Sequence, residues 1–142
     1  MSDHSLTTPF EWRVRVYWED TDAGGIVFYA NYLKFFERAR TEWLRSLGFS
    51  QRALREHTGG MFVVSETSVR YLRPARLDDE LIVTARVEGA GQASLIIAQQ
   101  ARERHSGALL AEGSIRLGWV EAATLRPARI PSNVIQTLAD KA

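Results

Sequence analysis

Apolar and polar residues change rhythm along this chain, and each change marks an element. In residues 10–18, Trp12, Val14 and Val16 alternate with Arg13 and Arg15, the period of a half-buried strand. Residues 19–25 are rich in Asp and Gly and read as a turn. From about residue 31 to residue 47, Tyr32, Leu33, Phe36, Ala39, Trp43, Leu44 and Leu47 recur three and four apart, the stripe of an amphipathic helix, and Gly48 is placed to end it. Residues 50–60 are polar without a period and read as a connection. Alternation then returns. Residues 62–72 predict a strand that stops before Pro74, Asp78-Asp79 a turn, and Leu81, Val83, Ala85 and Val87 the inward row of the next strand. Gly89 and Gly91 punctuate, residues 94–104 form a further strand, and Ser106-Gly107 is a hairpin-type turn. Leu109, Ala111, Gly113, Ile115, Leu117 and Trp119 line one face of the last strand, and residues 131–139 suit a short terminal helix.

Strand, long helix, then four strands predicts an α+β fold. One apolar helix stripe must be buried against the one sheet, so the expected architecture is a curved antiparallel five-stranded sheet wrapped around one long central helix. Trp, Ile and Leu are also expected on the outer sheet face, where a partner subunit would cover them. The 142 residues fit a single domain at 10–142, preceded by a frayed polar tail at 1–9.

Composition narrows the chemistry. Lys plus Arg is 18 against 17 for Asp plus Glu, a net charge of +1, which gives no pull on nucleic acid or on an anionic membrane. The local basic runs at residues 70–76 and 126–129 suit a phosphorylated small molecule better than a duplex. The absence of cysteine excludes a disulfide framework, a thiolate nucleophile and a Cys-based zinc site. The first nine residues lack the apolar stretch of a signal peptide, and no apolar run approaches the roughly 20 residues needed to span a bilayer. A cytoplasmic protein without membrane insertion is the expectation.

The densest chemistry lies in Trp18-Glu19-Asp20-Thr21-Asp22-Ala23-Gly24-Gly25-Ile26-Val27-Phe28-Tyr29-Ala30-Asn31-Tyr32. Two carboxylates precede two glycines and the start of the main helix. The first N–H groups of a helix lack internal partners and carry partial positive charge, so they can hold a developing oxyanion. An ionised Asp in front of them can activate water or attack a carbonyl. Asp and Gly also shape ordinary turns, and spacing alone does not choose between Asp20 and Asp22.

Asp20-Thr21-Asp22, Gly25-Ile26-Val27, Asn31-Tyr32 and Phe36-Glu37-Arg38-Ala39-Arg40 resemble the signature of the 4-hydroxybenzoyl-CoA thioesterase family, and the run from Val69 to Leu81 (VRYLRPARLDDEL) is similar to it as well. Within that family the chain is most similar to the acyl-CoA thioesterases associated with the Tol-Pal system. The resemblance implies the hotdog fold, an acyl-CoA substrate, Asp22 as the catalytic acid, and the backbone N–H near Tyr29 as the group that polarises the thioester carbonyl. Gly25 and Trp18 are expected beside the substrate. The family places CoA phosphates near the last strands and the segment after them, which points to Ser94, Arg126 and Arg129, with Arg70, Arg73 and Arg76 as further guanidinium candidates. An acyl carrier protein is the other carrier such a thioester could have. A homo-oligomer, a dimer of dimers forming a homotetramer, is expected because the site needs a second chain.

Two positions depart from the closer subgroup, which often carries Tyr at the place of Trp18 and His at that of Tyr29. His4, His57 and His105 fall in the tail, a polar connection and a strand end, so each is expected exposed and no imidazole serves the loop. Glu37, in the helix, is the substitute acid if Asp22 fails, although a surface pairing with Arg40 is the simpler reading. Trp43 and Trp119 are expected in the core or an interface, with Trp12 less defined. A thioester is already activated, so no metal or other cofactor is required. The rival functions are a hydratase or dehydratase on the same fold, which usually needs a His with an acid, and a non-catalytic module that binds acyl-CoA or acyl carrier protein.

Overall fold

The computed structural model describes residues 9–141, and side-chain surroundings as far as residue 138. The predicted tail, with His4, lies almost wholly outside the described residues. Strand β1 (Phe10–Arg15) is followed by a 3-10 turn at Trp18–Asp20 and a second at Tyr29–Asn31. Helix α1 (Tyr32–Ser46) and helix α2 (Gln51–Thr58) come next, then strands β2 (Gly60–Tyr71), β3 (Glu80–Ala90), β4 (Ser94–Glu103) and β5 (Leu109–Glu121), and finally helix α3 (Ser132–Lys141). The five strands form one sheet in the order β1-β3-β4-β5-β2, with every pairing antiparallel. This is the expected α+β arrangement. The first strand ends earlier than its alternation suggested, because the Tyr17 N–H leaves the ladder and donates to the Asp20 carboxylate at 2.9 Å.

Helix α1 lies across the concave face with Tyr32, Phe35, Phe36, Ala39, Trp43 and Leu44 buried. Leu33, expected in that stripe, is exposed; Phe35 takes the inward position instead, one turn before Ala39. The helix stops as predicted. Gly48 adopts φ 93°, its N–H donates to the Arg45 carbonyl at 3.0 Å, and the Phe49 N–H donates to Leu44 at 2.8 Å, a Schellman closure that a β-carbon would strain. A β-carbon on Gly113 would lie 3.1 Å from the Phe36 ring, so the helix approaches β5 closely there. Buried Gln99 ties helix to sheet: its amide nitrogen donates to the carbonyls of Phe36 and Thr84, and its oxygen accepts from Arg40. Burial lowers the pKa of that arginine below its usual range.

Residues 50–60 are not a mere connection. Ser50 caps α2 by accepting from the Ala53 N–H, and Gly59 ends it in the left-handed region. Only Leu54 of its eight residues is buried, which is why no period appears in the sequence. In α3, Val134 and Leu138 join Ile130 in the same core as α1.

The outer sheet face also differs from expectation. Side chains alternate along β5, so the row that ends in Trp119 faces inward, where Trp119 packs edge-on against Phe62. Outward positions carry Arg70 paired with Glu112, and Arg86, Glu88, Ser114 and Arg116, with Ile82 and Ile96 half-buried among them. Exposed large apolar side chains include Tyr17, Trp18, Phe28, Tyr29, Val64 and Tyr71. Strand β2, 12 residues long, stands at the end of the sheet order with one edge unpaired.

Candidate active site

The loop between β1 and α1 is held at both ends by Asp20. One carboxylate oxygen accepts from the Tyr17 N–H, the other from the Asn31 side-chain amide at 2.8 Å, and the Asp20 carbonyl accepts from the Phe28 N–H at 3.0 Å. Asp20 is 5% exposed. Its bonds are those of a buried staple that carries the chain from the loop into the helix.

Asp22 is exposed and differently held. Its Oδ1 accepts from the Gly24 N–H at 2.8 Å, its carbonyl accepts from the Gly25 N–H at 3.0 Å, and its own N–H donates to the Ile26 carbonyl at 2.9 Å. Gly25 has φ 79°, a conformation that permits this reversal at little cost to glycine alone. The rest of the loop is pinned to the β2–β3 connection: Val27 N–H donates to Ala75, Leu77 N–H donates to Gly25, and Ile26 bridges Arg76. One Asp22 oxygen is therefore fixed, and the other makes no hydrogen bond among the described residues.

The helical run opens earlier than α1 itself, at the 3-10 turn beginning with Tyr29. No side chain caps that turn. The Asn31 N–H donates to Phe28, whereas the N–H groups of Tyr29 and Ala30 donate to no carbonyl outside the helices among the described residues. The Tyr29 ring lies 4.8 Å from that of Phe28 and meets Tyr71 edge-on at 5.9 Å. Tyr71 in turn lies 5.7 Å from Tyr32, whose hydroxyl accepts from the Ala75 N–H. Burial raises the Tyr32 and Tyr71 phenol pKa values, with the neighbouring Tyr29 adding to the rise for Tyr71. Tyr71 was not among the predicted site residues. Strict alternation from Phe62 would turn it outward; a bulge between Val64 and Glu66 shifts the register by one residue and brings Tyr71 opposite Ala111 on the inner face.

The other predicted residues spread over the molecule. Trp18 is 78% exposed and, with Tyr17, Glu19, Leu77 and Asp78, lines a cleft of about 360 Å³ that includes neither Asp22 nor Tyr29. Ser94 lines a cleft of about 480 Å³ with Arg116 and Pro127. Arg129 lines another, of about 540 Å³, with Gln92, Ile130 and Ile135. Arg126 enters neither lining; its N–H donates to Thr124 Oγ1. Arg70 is engaged with Glu112, while Arg73 and Arg76 are exposed. The expected Glu37–Arg40 pair does not form: Glu37 accepts from the Thr41 hydroxyl at 2.6 Å, and Arg40 reaches inward to Gln99. His57 and His105 are exposed, Trp43 and Trp119 are each 3% exposed, and Trp12 sits at the sheet edge.

Within one chain, Asp22 and the phosphate candidates occupy opposite ends of the sheet. Val16 donates to Asp79 at the start of β3, which puts the Asp22 loop there, whereas Ile130 donates to Gln92 just beyond its end. Those ends are roughly 30 Å apart at the rise of an extended strand.

Residues 16–138 match the thioesterase-like superfamily, and the chain belongs to it. The chain is 41% identical over 129 residues to the acyl-CoA thioester hydrolase YbgC of Escherichia coli, covering 91% of this chain and 95% of that protein. It is 40% identical to the acyl-CoA thioesterase YbgC of Haemophilus influenzae, over 91% of this chain and 93% of the other. Among solved structures, a probable thioesterase from Bartonella henselae aligns with a TM-score of 0.79 at 30% identity, covering 87% of this chain and 100% of that one. The fold is the hotdog fold of that superfamily.

Proposed function

We propose that this thioester hydrolase cleaves acyl-CoA to a carboxylic acid and CoA, with Asp22 as its acting carboxylate. The observation that carries the assignment is the contrast within one loop: Asp20 has both oxygens engaged internally, whereas Asp22 has one oxygen oriented by the Gly24 N–H and the other free. That free oxygen takes a proton from an attacking water, or attacks the carbonyl carbon to give an anhydride that water then opens. In either route the C–S bond breaks and CoA leaves as its thiolate. The uncapped N–H groups of Tyr29 and Ala30 hold the carbonyl oxygen as it gains negative charge, with Gly25 in the turn that carries Asp22, while Trp18 lines a separate cleft. Asp22→Asn removes the base and the nucleophile while keeping the Gly24 hydrogen bond. Its expected kcat for thiol release is lower by about 10²–10⁴-fold, with an unchanged circular dichroism spectrum. Wild-type kcat in that variant would refute the role.

The working unit is a homo-oligomer, a dimer or a dimer of dimers. A long unpaired edge such as that of β2 is ordinarily covered. Antiparallel pairing of two β2 edges brings the Tyr71 end of one chain to the Gly60 end of the other, which is the end where Arg126 is held by the Glu121 N–H. The Asp22 of one chain then faces Ser94, Arg126 and Arg129 of the second, and the two arginines, which form no ion pair among the described residues, receive the CoA phosphates with the Ser94 hydroxyl beside them. An acyl carrier protein presenting the same thioester is the alternative carrier. No described helix is long and apolar enough to cross a membrane, which fits work in the cytoplasm.

A further inference from the structure

We propose that Asn31 is a positioning residue: its side-chain amide, bonded to Asp20, fixes the angle between the loop that carries Asp22 and the turn whose N–H groups hold the thioester oxygen. The inference rests on the acyl-CoA reading above and adds to it a device that sets the geometry of that site.

The segment from Asp20 to Asn31 consists of two stiff pieces joined at one residue. The first is a small hairpin. Its two sides are tied by the Phe28 N–H donating to the Asp20 carbonyl at 3.0 Å, by a bridge between Thr21 and Val27, and by the Asp22 N–H donating to the Ile26 carbonyl at 2.9 Å. Asp22 is thereby fixed within it. The second piece is the 3-10 turn Tyr29–Asn31, closed by the Asn31 N–H donating to the Phe28 carbonyl at 2.8 Å and continuous with α1. Phe28 joins them, with φ −62° and ψ 130°. Those two torsions are the soft ones of the backbone, so a rotation at Phe28 alone would swing the Tyr29 and Ala30 N–H groups away from Asp22.

The Asn31 amide crosses that joint. Its Nδ2 donates to Asp20 Oδ1 at 2.8 Å, and the bond is buried, with Asn31 7% and Asp20 5% exposed. The Tyr17 N–H holds the other Asp20 oxygen at 2.9 Å, so the acceptor does not drift with the amide. A bond from an amide to a carboxylate in an enclosed site is stronger than a neutral pair in water. The side chain has no competing task at the helix end: Asn is a favoured N-cap residue, yet at the N-cap of α1 it makes no capping bond. A second tie runs through the β2–β3 connection, where the Val27 N–H donates to the Ala75 carbonyl and the Ala75 N–H donates to the Tyr32 hydroxyl. At 3.3 Å the latter bond is looser, and it holds the helix by the far end of a long side chain rather than at the turn. A misplacement of about 1 Å between reacting groups is enough to cost about 10²-fold in rate, so the brace at Asn31 bears directly on turnover.

The test measures kcat and KM for thiol release in the wild type, in Asn31→Ala, in Asn31→Asp and in the exchange variant that combines Asp20→Asn with Asn31→Asp, with Asp22→Asn alongside. The probe is whichever of acetyl-CoA, hexanoyl-CoA and benzoyl-CoA the wild type cleaves fastest. Each kcat is taken per folded chain, from circular dichroism, below every variant's thermal midpoint. Asn31→Ala removes the donor and is expected to lower kcat by about 10²-fold with KM unchanged, because the loss falls on transition-state geometry. Asn31→Asp sets two carboxylates face to face and should fall at least as far. In the exchange variant the amide at position 20 keeps its oxygen for the Tyr17 N–H and turns its own N–H to the carboxylate at position 31, so kcat should return to within about 10-fold of the wild type. Wild-type kcat in Asn31→Ala, or a loss carried by KM, overturns the inference. So does a folded exchange variant that stays about 10²-fold below the wild type. Loss of the fold in all three variants assigns the pair to stability alone and overturns it too. Wild-type kcat in Asp22→Asn overturns the reading of the site itself, whereas a slow Asp22→Asn beside an unaffected Asn31→Ala overturns only the positioning role.

Discussion

Asp20 directs both of its carboxylate oxygens into the protein, to the Tyr17 N–H and the Asn31 amide, and is almost fully enclosed. Removing it leaves those donors without an acceptor in a site that water reaches poorly, so the deletion costs more than the net value of the bonds themselves. Asp20→Ala is expected to lower the unfolding free energy by about 1–3 kcal/mol in urea denaturation. Asp22→Asn, on an exposed side chain whose one bond the amide oxygen can retain, should stay within about 0.5 kcal/mol of wild type. Equal destabilisation by both substitutions would contradict the division of labour between the two acids. The sequence placed two acids and two glycines before a helix but could not separate their roles. The difference lies in which acid Asn31 folds back to meet, eleven residues later. Tyr29 and Tyr71 were similarly out of reach, because their meeting depends on where the end of β2 lies relative to the loop.

Periodicity was a good guide wherever an element buries a continuous face. Helix α1 follows the three-four spacing and the strands from Gly60 to Glu121 the alternation, except where a bulge such as that between Val64 and Glu66 exchanges the faces, and the strand and helix ends differ from the expected ones by a residue or two. It failed for α2, which buries a single leucine and is defined by Ser50 and Gly59 at its ends, signals present in the sequence but unsupported by any apolar stripe. It also misjudged the outer face, because the bulky row of β5 can face only one side. The β4–β5 hairpin carries a further element-level device. Glu103 accepts the N–H groups of His105 and, next, of Ser106, and these bonds pull its carboxyl pKa from the usual 4.5 down to about 2. A carboxyl whose folded pKa lies below its unfolded one stabilises the fold above the unfolded value, and that stabilisation is lost as pH falls through the folded value. The stability gap between wild type and Glu103→Gln should thus be full near neutral pH and should shrink between pH 4.5 and about 2. Urea midpoints measured across that range check it, and a gap that widens toward acid would contradict the bonding.

At the scale of the whole molecule, a single chain keeps Asp22, the proposed acid, and its candidate phosphate cations at opposite ends of the same sheet, joined by the length of β3. If Asp22 and those arginines serve one site, as proposed, the substrate lies across two chains, and the composition of each site is testable by mixing. Asp22→Asn removes the acid from one chain, and the double variant Arg126→Ala with Arg129→Ala removes the cations from another. If each site takes its acid from one chain and its cations from the second, a mixed dimer holds one site that lacks both and one that is intact. Co-expression in equal amounts makes half of the dimers mixed, so about a quarter of wild-type thiol release should return from two variants that are each nearly inactive alone. If acid and cations served the same site from one chain, every site in the mixture would lack one or the other, and activity would stay at the level of the separate variants. Recovery in the mixture therefore requires an interface that places the Asp22 loop of one chain against the Arg126–Arg129 segment of its neighbour, whichever route the carboxylate takes through the reaction.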